Sequence, residues 1–402
     1  MKTSPALGLV EFVALFALMM SLTGLSIDAL LPGFTAIEHT LNVPDARNLQ
    51  LIVSLFILGM AMGEIVFGPL ADAIGRKRAI VLGISIYLLG SLVAASATSL
   101  EMLLIGRVIQ GVGVAGPKIA SRALIRDQFE GDAMARIMSF IMMIFILTPM
   151  IAPSIGQGIL FIADWRAIFG LYLLMATVAL TWLMIRQPET LLKENRIRLH
   201  PVTLVKTCGL IVRHPRVMVC TLIAGMLFGT LLSYVSTSQA IFTDVYHAGE
   251  HFPLYFALLA LGSGVASFIN SRWVMRFGMQ KMITTALGIM ACAAAVLWLV
   301  SLYFDGAPPL PVFLLGGFFL MFATGLLFGN VNALGMKYLG RVAGTGASLM
   351  SSFSSGLAVL IAIPVGRLYD GTVLLMPAAF FCCGLIGLAL MLWARTTHER
   401  SV

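Results

Sequence analysis

Four ionisable residues stand where an apolar chain should carry none. Asp28, Glu64, Arg107 and Lys118 each lie inside a run of about twenty mostly apolar residues. A charge at bilayer depth costs roughly 2.5–3.5 kcal/mol even on lenient insertion scales, so it persists only beside a partner or a water-filled cavity. Arg107 and Lys118 share one stretch, Leu103–Phe129, with the small residues Gly106, Gly111, Gly113, Ala115, Gly116 and Ala120. Eleven residues at about 100° each come within about 20° of three full turns, so both cations lie on one helical face.

Depth separates the two cations. With a first helix running to about residue 37, Asp28 lies roughly 6–8 Å outward of the midplane, and Arg107 roughly 6 Å outward of its own helix centre. Matched depths predict that the two face each other across a cavity wall. Removal from water favours a neutral carboxyl, a neighbouring guanidinium favours the carboxylate, and a moving cationic substrate would switch the balance. That is the chemistry of an exchanger, in which proton and substrate displace one another. Lys118 and Glu64 lie on the other side of their helix centres, at roughly 10 Å and 7 Å. They read either as a salt bridge between two helices or as a cavity site where Lys118 favours an anionic or zwitterionic substrate.

The elements that must hold these residues are membrane helices. Of 402 residues, 59% are apolar and 11% charged, and mean hydropathy is +0.97, whereas a soluble domain is roughly 25% charged. A span needs about 20 apolar residues. Such runs fall near 10–35, 48–70, 79–97, 100–122, 137–160, 166–185, 217–240, 252–272, 281–303, 311–335, 345–367 and 372–394, predicting an all-α integral membrane protein with twelve transmembrane helices. The net charge of +8 marks topology, with no nucleic acid implied. All but five of the 26 Lys and Arg fall in termini and loops on one side. The exceptions are Arg47, Arg166 and Arg367 opposite, and Arg107 and Lys118 within spans. The positive-inside rule then puts both termini in the cytoplasm.

The one long polar segment, 186–216, divides the chain into an N-terminal six-helix bundle, 1–185, and a C-terminal one, 217–402, joined by a cytoplasmic linker. An internal echo relates them: IGRKRAI at Ile74–Ile80, after the second span, and FGMQKMI at Phe277–Ile283, after the eighth. Parallel six-helix repeats around a midplane site are one architecture of secondary transporters. The first apolar run follows a single Lys without a small-residue cleavage site, so it reads as a retained helix. Cys208, Cys220, Cys292, Cys382 and Cys383 form no CxxC pair and read as small core fillers. His247 and His251 lack a third ligand, so no metal is implied. No P-loop or nucleophile elbow is present, which leaves an ATP-driven pump or an enzyme without support.

The loop GPLADAIGRKRAI, Gly68–Ile80, resembles the major facilitator superfamily, whose loop after the second helix reads G-x-L-A-D-x-x-G-R-[KR]. RVIQGVGVAG, Arg107–Gly116, is similar to its fourth-helix pattern R-x-x-Q-G-x-G. LTPMIAPSIGQG, Leu147–Gly158, is similar to the fifth-helix signature of its drug:proton antiporters, with Pro149 and Pro153 removing backbone donors and Gly156 and Gly158 permitting close packing, together a bendable hinge. IDALLPGF (Ile27–Phe34), SRALIRDQF (Ser121–Phe129) and AGTGASL (Ala343–Leu349) resemble the bicyclomycin-resistance (Bcr/CflA) multidrug efflux group.

The resemblance implies the major facilitator fold of two six-helix bundles. It implies a monomer in the bacterial inner membrane exporting small amphipathic molecules by alternating access, driven by the proton gradient without a cofactor. Asp28 would be the titrating group and Arg107 its regulator. Gly68, Asp72, Gly75 and Arg76 would form the conformational latch, Asp72 facing the helix start near Gly344–Gly346. Three features depart from the group: Gln is usual where Glu64 stands, Lys118 is unexpected, and Gln239 in STSQAIF often has Pro as its counterpart. Tyr234, Ser236, Ser238 and Gln239 on the seventh span, and Asn330 and Asn332 on the tenth, are further cavity candidates. Glu11 reads as interfacial. The same fold would also serve a dedicated exporter of one endogenous compound or a proton-coupled importer of a small metabolite. A non-transporting scaffold would give charges at matched depths no purpose.

Overall fold

The computed structural model describes residues 7–129, 131–196, 208–209, 211–339 and 343–399. Among these the chain is helical, with no strand. The helices are α1 (Leu9–Asp28), α2 (Phe34–Leu41), α3 (Leu51–Ile74), α4 (Arg76–Ala95), α5 (Leu100–Gln128), α6 (Gly131–Leu160) and α7 (Arg166–Arg186), then α8 (Pro215–Ala240), α9 (Phe252–Phe277), α10 (Met279–Tyr303), α11 (Leu310–Lys337), α12 (Ala343–Arg367) and α13 (Leu375–Glu399). All but α2 have twenty residues or more. Eleven stretches of the described residues are long and apolar enough to cross a membrane; several side chains of α6 lie outside those described.

The first span differs from its prediction as one helix over 10–35. Helix α1 stops at Asp28, a 3₁₀ turn follows over Leu31–Gly33, and α2 begins only at Phe34. Pro32 is the physical reason: it cannot donate to a preceding carbonyl, and its ring disfavours helical backbone just before it. The break frees the last carbonyls of α1 for other donors.

The chain divides into two compact units, Met1–Lys206 with Ala347–Ser352, and Thr207–Gly346 with Phe353–Val402. In the first, α3 and α4 pack on α5, α4 on α7, and α1 on α5, α6 and α7. The second repeats most of these pairings, with α9 and α10 on α11, α10 on α13, and α8 on α11 and α13. The repeated turn has a backbone counterpart. Gly75, between α3 and α4, has φ 106° and ψ 156°; Gly278, between α9 and α10, has φ 80° and ψ 154°. A side chain is strained at such φ, which explains glycine at both positions.

Helix α5 carries the site, and its small residues explain how it is held. Ser99 caps its N-terminus, accepting from Met102 N at 3.3 Å, with Glu101 in the first turn, where an anion suits the helix dipole. A Cβ on Gly111 would lie 2.0 Å from the Phe56 carbonyl oxygen of α3, and one on Gly113 would lie 2.2 Å from Tyr87 N of α4. Glycines on two faces therefore let α5 lie backbone-to-backbone with both neighbours, the packing that replaces hydrophobic drive inside lipid.

Candidate functional site

Arg107 is fully buried in the first unit, and every arm of its guanidinium is used. Nε donates to Ile52 O at 3.0 Å, one terminal nitrogen to Gln110 Oε1 at 2.5 Å, and the other to Ser26 O at 2.8 Å. The group also lies 4.3 Å from the centre of the Phe56 ring. Gln110 Nε2 passes the network on to Ser91 Oγ at 2.8 Å, and Ser91 donates to Tyr87 O. The Tyr87 hydroxyl sits 2.6 Å from Ser26 Oγ. One buried network thus ties α1, α3, α4 and α5 together.

Asp28 lies beside this network but outside it. It is 4% exposed and forms no hydrogen bond or ion pair among the described residues. Arg107 and Asp28 meet only through the backbone of α1: the guanidinium holds Ser26 O, two residues before the carboxyl. Tyr172 of α7 does likewise, donating to Leu25 O at 2.9 Å. The broken end of α1 explains this arrangement. Leu25 and Ser26 are in its last turn: Arg107 takes Ser26 O, and Leu25 O accepts from both Ala29 N and Tyr172.

The second pair forms directly. Lys118 Nζ donates to Glu64 Oε1 at 2.5 Å, with the Glu64 side chain wholly buried and that of Lys118 16% exposed. Met60 Sδ lies 3.5 Å from the same ammonium. Depth matching between α3 and α5 located this contact from sequence.

At the turn between α3 and α4, Arg76 pairs with Asp72 and donates Nε to Asp127 Oδ2 at 3.0 Å. Glu189 completes the cluster, accepting from Arg76 N at 2.9 Å. Its carboxylate lies at the N-terminus of α4, the favourable end for an anion. A Cβ on Gly75 would meet that carboxylate at 2.3 Å. Part of the expected surroundings of Asp72, residues 344–345, lies outside the described side chains. Glu11 pairs with Arg186 at 2.7 Å and accepts from Trp182 Nε1.

The hinge residues of α6 separate. Pro149 and Pro153 lie inside the helix, and a Cβ on Gly156 would come within 1.9 Å of Ala29 O, just past the end of α1. Gly158 has nothing within 4 Å, so its expected role in close packing is corrected. In the second unit, Ser236 and Ser238 donate to carbonyls of their own helix, Leu232 O and Val235 O, which satisfies a hydroxyl inside an apolar bundle. Tyr234 stacks on Phe256 at 5.8 Å between ring centres, while Gln239 is half-buried. Asn330 is buried and donates to Asn270 Oδ1 at 2.6 Å, whereas Asn332 turns back to Phe328 O. The two asparagines therefore do not share one site.

Sequence reasoning passed over Ser26, Tyr87, Tyr172, Asp127 and Glu189. Signals existed for some. Tyr87 and Tyr172 are polar groups inside spans, and Asp127 lies within the quoted SRALIRDQF stretch. Glu189 follows the last helix of the first unit and carried no local signal.

Buried charges on membrane-spanning helices, arranged in two compact units, define a multi-pass membrane transporter rather than an enzyme. A sequence profile of the Major Facilitator Superfamily matches residues 14–363, and the chain belongs to that family. Among its relatives, the bicyclomycin resistance protein homolog of Haemophilus influenzae is 30% identical over 342 residues, covering 85% of each chain. The multidrug resistance protein MdtL of Shewanella sp. is 27% identical over 371 residues, covering 91% of each. The solved structure of the xylose transporter XylE from E. coli superposes with a TM-score of 0.76 at 14% identity, covering 95% of this chain and 97% of that one; this likeness concerns the fold.

Proposed function

We propose that this protein is a proton-coupled exporter of small amphipathic molecules, a monomer in the bacterial inner membrane with both termini cytoplasmic. The proton gradient is its energy source, and no cofactor is required. The observation that carries this reading is Asp28: a buried carboxyl with no hydrogen bond or ion pair among the described residues, at the broken end of α1, where Arg107 and Tyr172 hold the carbonyls just before it. A bare charge in such a place costs several kcal/mol, which is why the coupled proton is assigned to Asp28. When its proton leaves, the carboxylate needs a cation. Arg107, already anchored at Ser26 O, is placed to exchange that carbonyl for the carboxylate. The exchange would re-seat the end of α1 against Gly156 of α6, linking proton movement to the Pro149–Pro153 hinge.

Asp72 and Arg76 act as the conformational latch, with Gly75 giving the turn its shape and Gly68, inside α3, permitting the close approach of Ser348. The names of the relatives support drug-like substrates. Tyr234, Gln239, Asn330 and Asn332 remain proposed substrate contacts, of which the half-buried Gln239 and Asn332 are the more accessible. Glu64 and Lys118 neutralise one another between α3 and α5.

Inverted membrane vesicles test the function. Bicyclomycin, a neutral drug, and ethidium, an amphipathic cation, are offered while an imposed pH gradient is present. Accumulation of either, collapsed by a protonophore, is expected. Accumulation of neither by correctly inserted protein, or uptake indifferent to the protonophore, overturns the reading.

A further inference from the structure

The end of α9 carries an unpaired basic and aromatic surface for which transport gives no role. Arg272 and Arg276 lie one turn apart on α9, and Lys281 follows in the first turn of α10. All three are exposed and form no ion pair among the described residues. The guanidiniums rest instead on aromatic rings, Arg272 4.4 Å from the centre of Phe268 and Arg276 5.5 Å from that of Phe277. No Asp or Glu occurs between Glu250 and Asp305. Around the cations the helix end is apolar and uncovered: Phe268 is 59%, Trp273 54% and Met275 88% exposed.

The matching turn of the first unit shows what this surface lacks. There, Arg76 is neutralised by Asp72 and Asp127, and Glu189 places a carboxylate on the N-terminus of α4. The turn at Gly278 has the same backbone shape, yet a Cβ there would meet nothing within 4 Å. The start of α10 has no side-chain cap. Three cations and an uncapped helix start therefore converge where the first unit supplies its own anions.

We propose that the Arg272–Arg276–Lys281 surface binds the headgroup phosphate of an anionic phospholipid, with the acyl chains lying along Phe268, Trp273 and Met275. Charge complementarity selects an anion. The adjoining exposed apolar side chains, on a helix that crosses the membrane, select one that carries hydrocarbon. The bound phosphate takes the place at this turn that Glu189 takes at the other. A neutral zwitterionic lipid offers no net charge to the cations and binds weakly.

Native mass spectrometry of the purified full-length protein tests this, with phosphatidylglycerol and phosphatidylcholine titrated separately. Wild-type protein is expected to retain phosphatidylglycerol in preference. The triple variant R272Q/R276Q/K281Q should lose affinity on the order of 100-fold, about a factor of five per cation at an anionic surface. These residues are exposed, so an unchanged melting profile is expected and verifies folding. R272K/R276K keeps the charges and should retain most of the binding, whereas K193Q/R196Q should leave it unaltered. Equal retention of both lipids, or undiminished phosphatidylglycerol binding by the folded triple variant, overturns the proposal. So does displacement of the lipid by millimolar inorganic phosphate, which would make the site one for a free anion.

Discussion

The Glu64–Lys118 pair permits a quantitative test of how opposite charges are held between α3 and α5. At an effective dielectric of about 20, two unit charges about 4 Å apart attract by roughly 4 kcal/mol. The contact here is 2.5 Å, with one side chain wholly buried and the other 16% exposed, so screening by water is limited. Glu64→Gln takes the counter-charge away from the ammonium, and Lys118→Met takes the ammonium from a buried carboxylate that keeps the Ser351 hydroxyl as a donor at 3.0 Å. Each single change should cost about 3–5 kcal/mol, the usual penalty for orphaning one partner of a buried pair. The double variant removes both charges together and should recover at least ~2 kcal/mol relative to the sum of the singles. Unfolding of the four purified proteins in mixed micelles measures the cycle, and vesicle transport by the same four reports function. The expected result is a coupling of ~2–4 kcal/mol, with the double variant still transporting. Additivity within ~0.5 kcal/mol would refute the reasoning that these charges exist for one another. A stable double variant that has lost transport would show that Lys118 serves the substrate.

Two further predictions follow from the packing of α5. Gly111→Ala puts a methyl 2.0 Å from the Phe56 carbonyl, so α3 and α5 must separate; a loss of about 1–3 kcal/mol is expected in the same unfolding assay, and an unchanged protein would contradict the close approach. Arg107→Lys keeps the charge but cannot donate in the fixed fork that reaches Ile52 O, Ser26 O and Gln110 together. PH-driven transport should fall at least tenfold with little change in the amount of folded protein, equivalent to ~1.4 kcal/mol at the coupling step; full activity would remove Arg107's geometry from the mechanism.

Much of the architecture was legible because lipid simplifies the rules. Apolar runs of about 20 residues located the long helices, and the IGRKRAI and FGMQKMI echo returned as two turns of matching backbone. Depth arithmetic found Lys118 against Glu64. The same arithmetic did not place Asp28 against Arg107 side chain to side chain, because Pro32 ends α1 at the carboxyl itself. Reading 10–35 as one helix concealed the end of α1, where Arg107 takes Ser26 O. Glu189 was beyond reach for another reason: its partner, Arg76 N, is 113 residues away, and no periodicity joins a segment after α7 to the first residue of α4.

The central claim is that Asp28 carries the coupled proton, and Asp28→Asn in proteoliposomes tests it most directly. The amide is close in size and cannot ionise, so substrate movement and proton coupling can be separated. The probe is whichever of bicyclomycin or ethidium the wild-type protein accumulates. The variant should still exchange labelled for unlabelled probe across the membrane, showing that it is folded and can cycle with substrate, while an imposed pH gradient no longer concentrates it. Uphill accumulation by the variant at the wild-type rate would contradict the account.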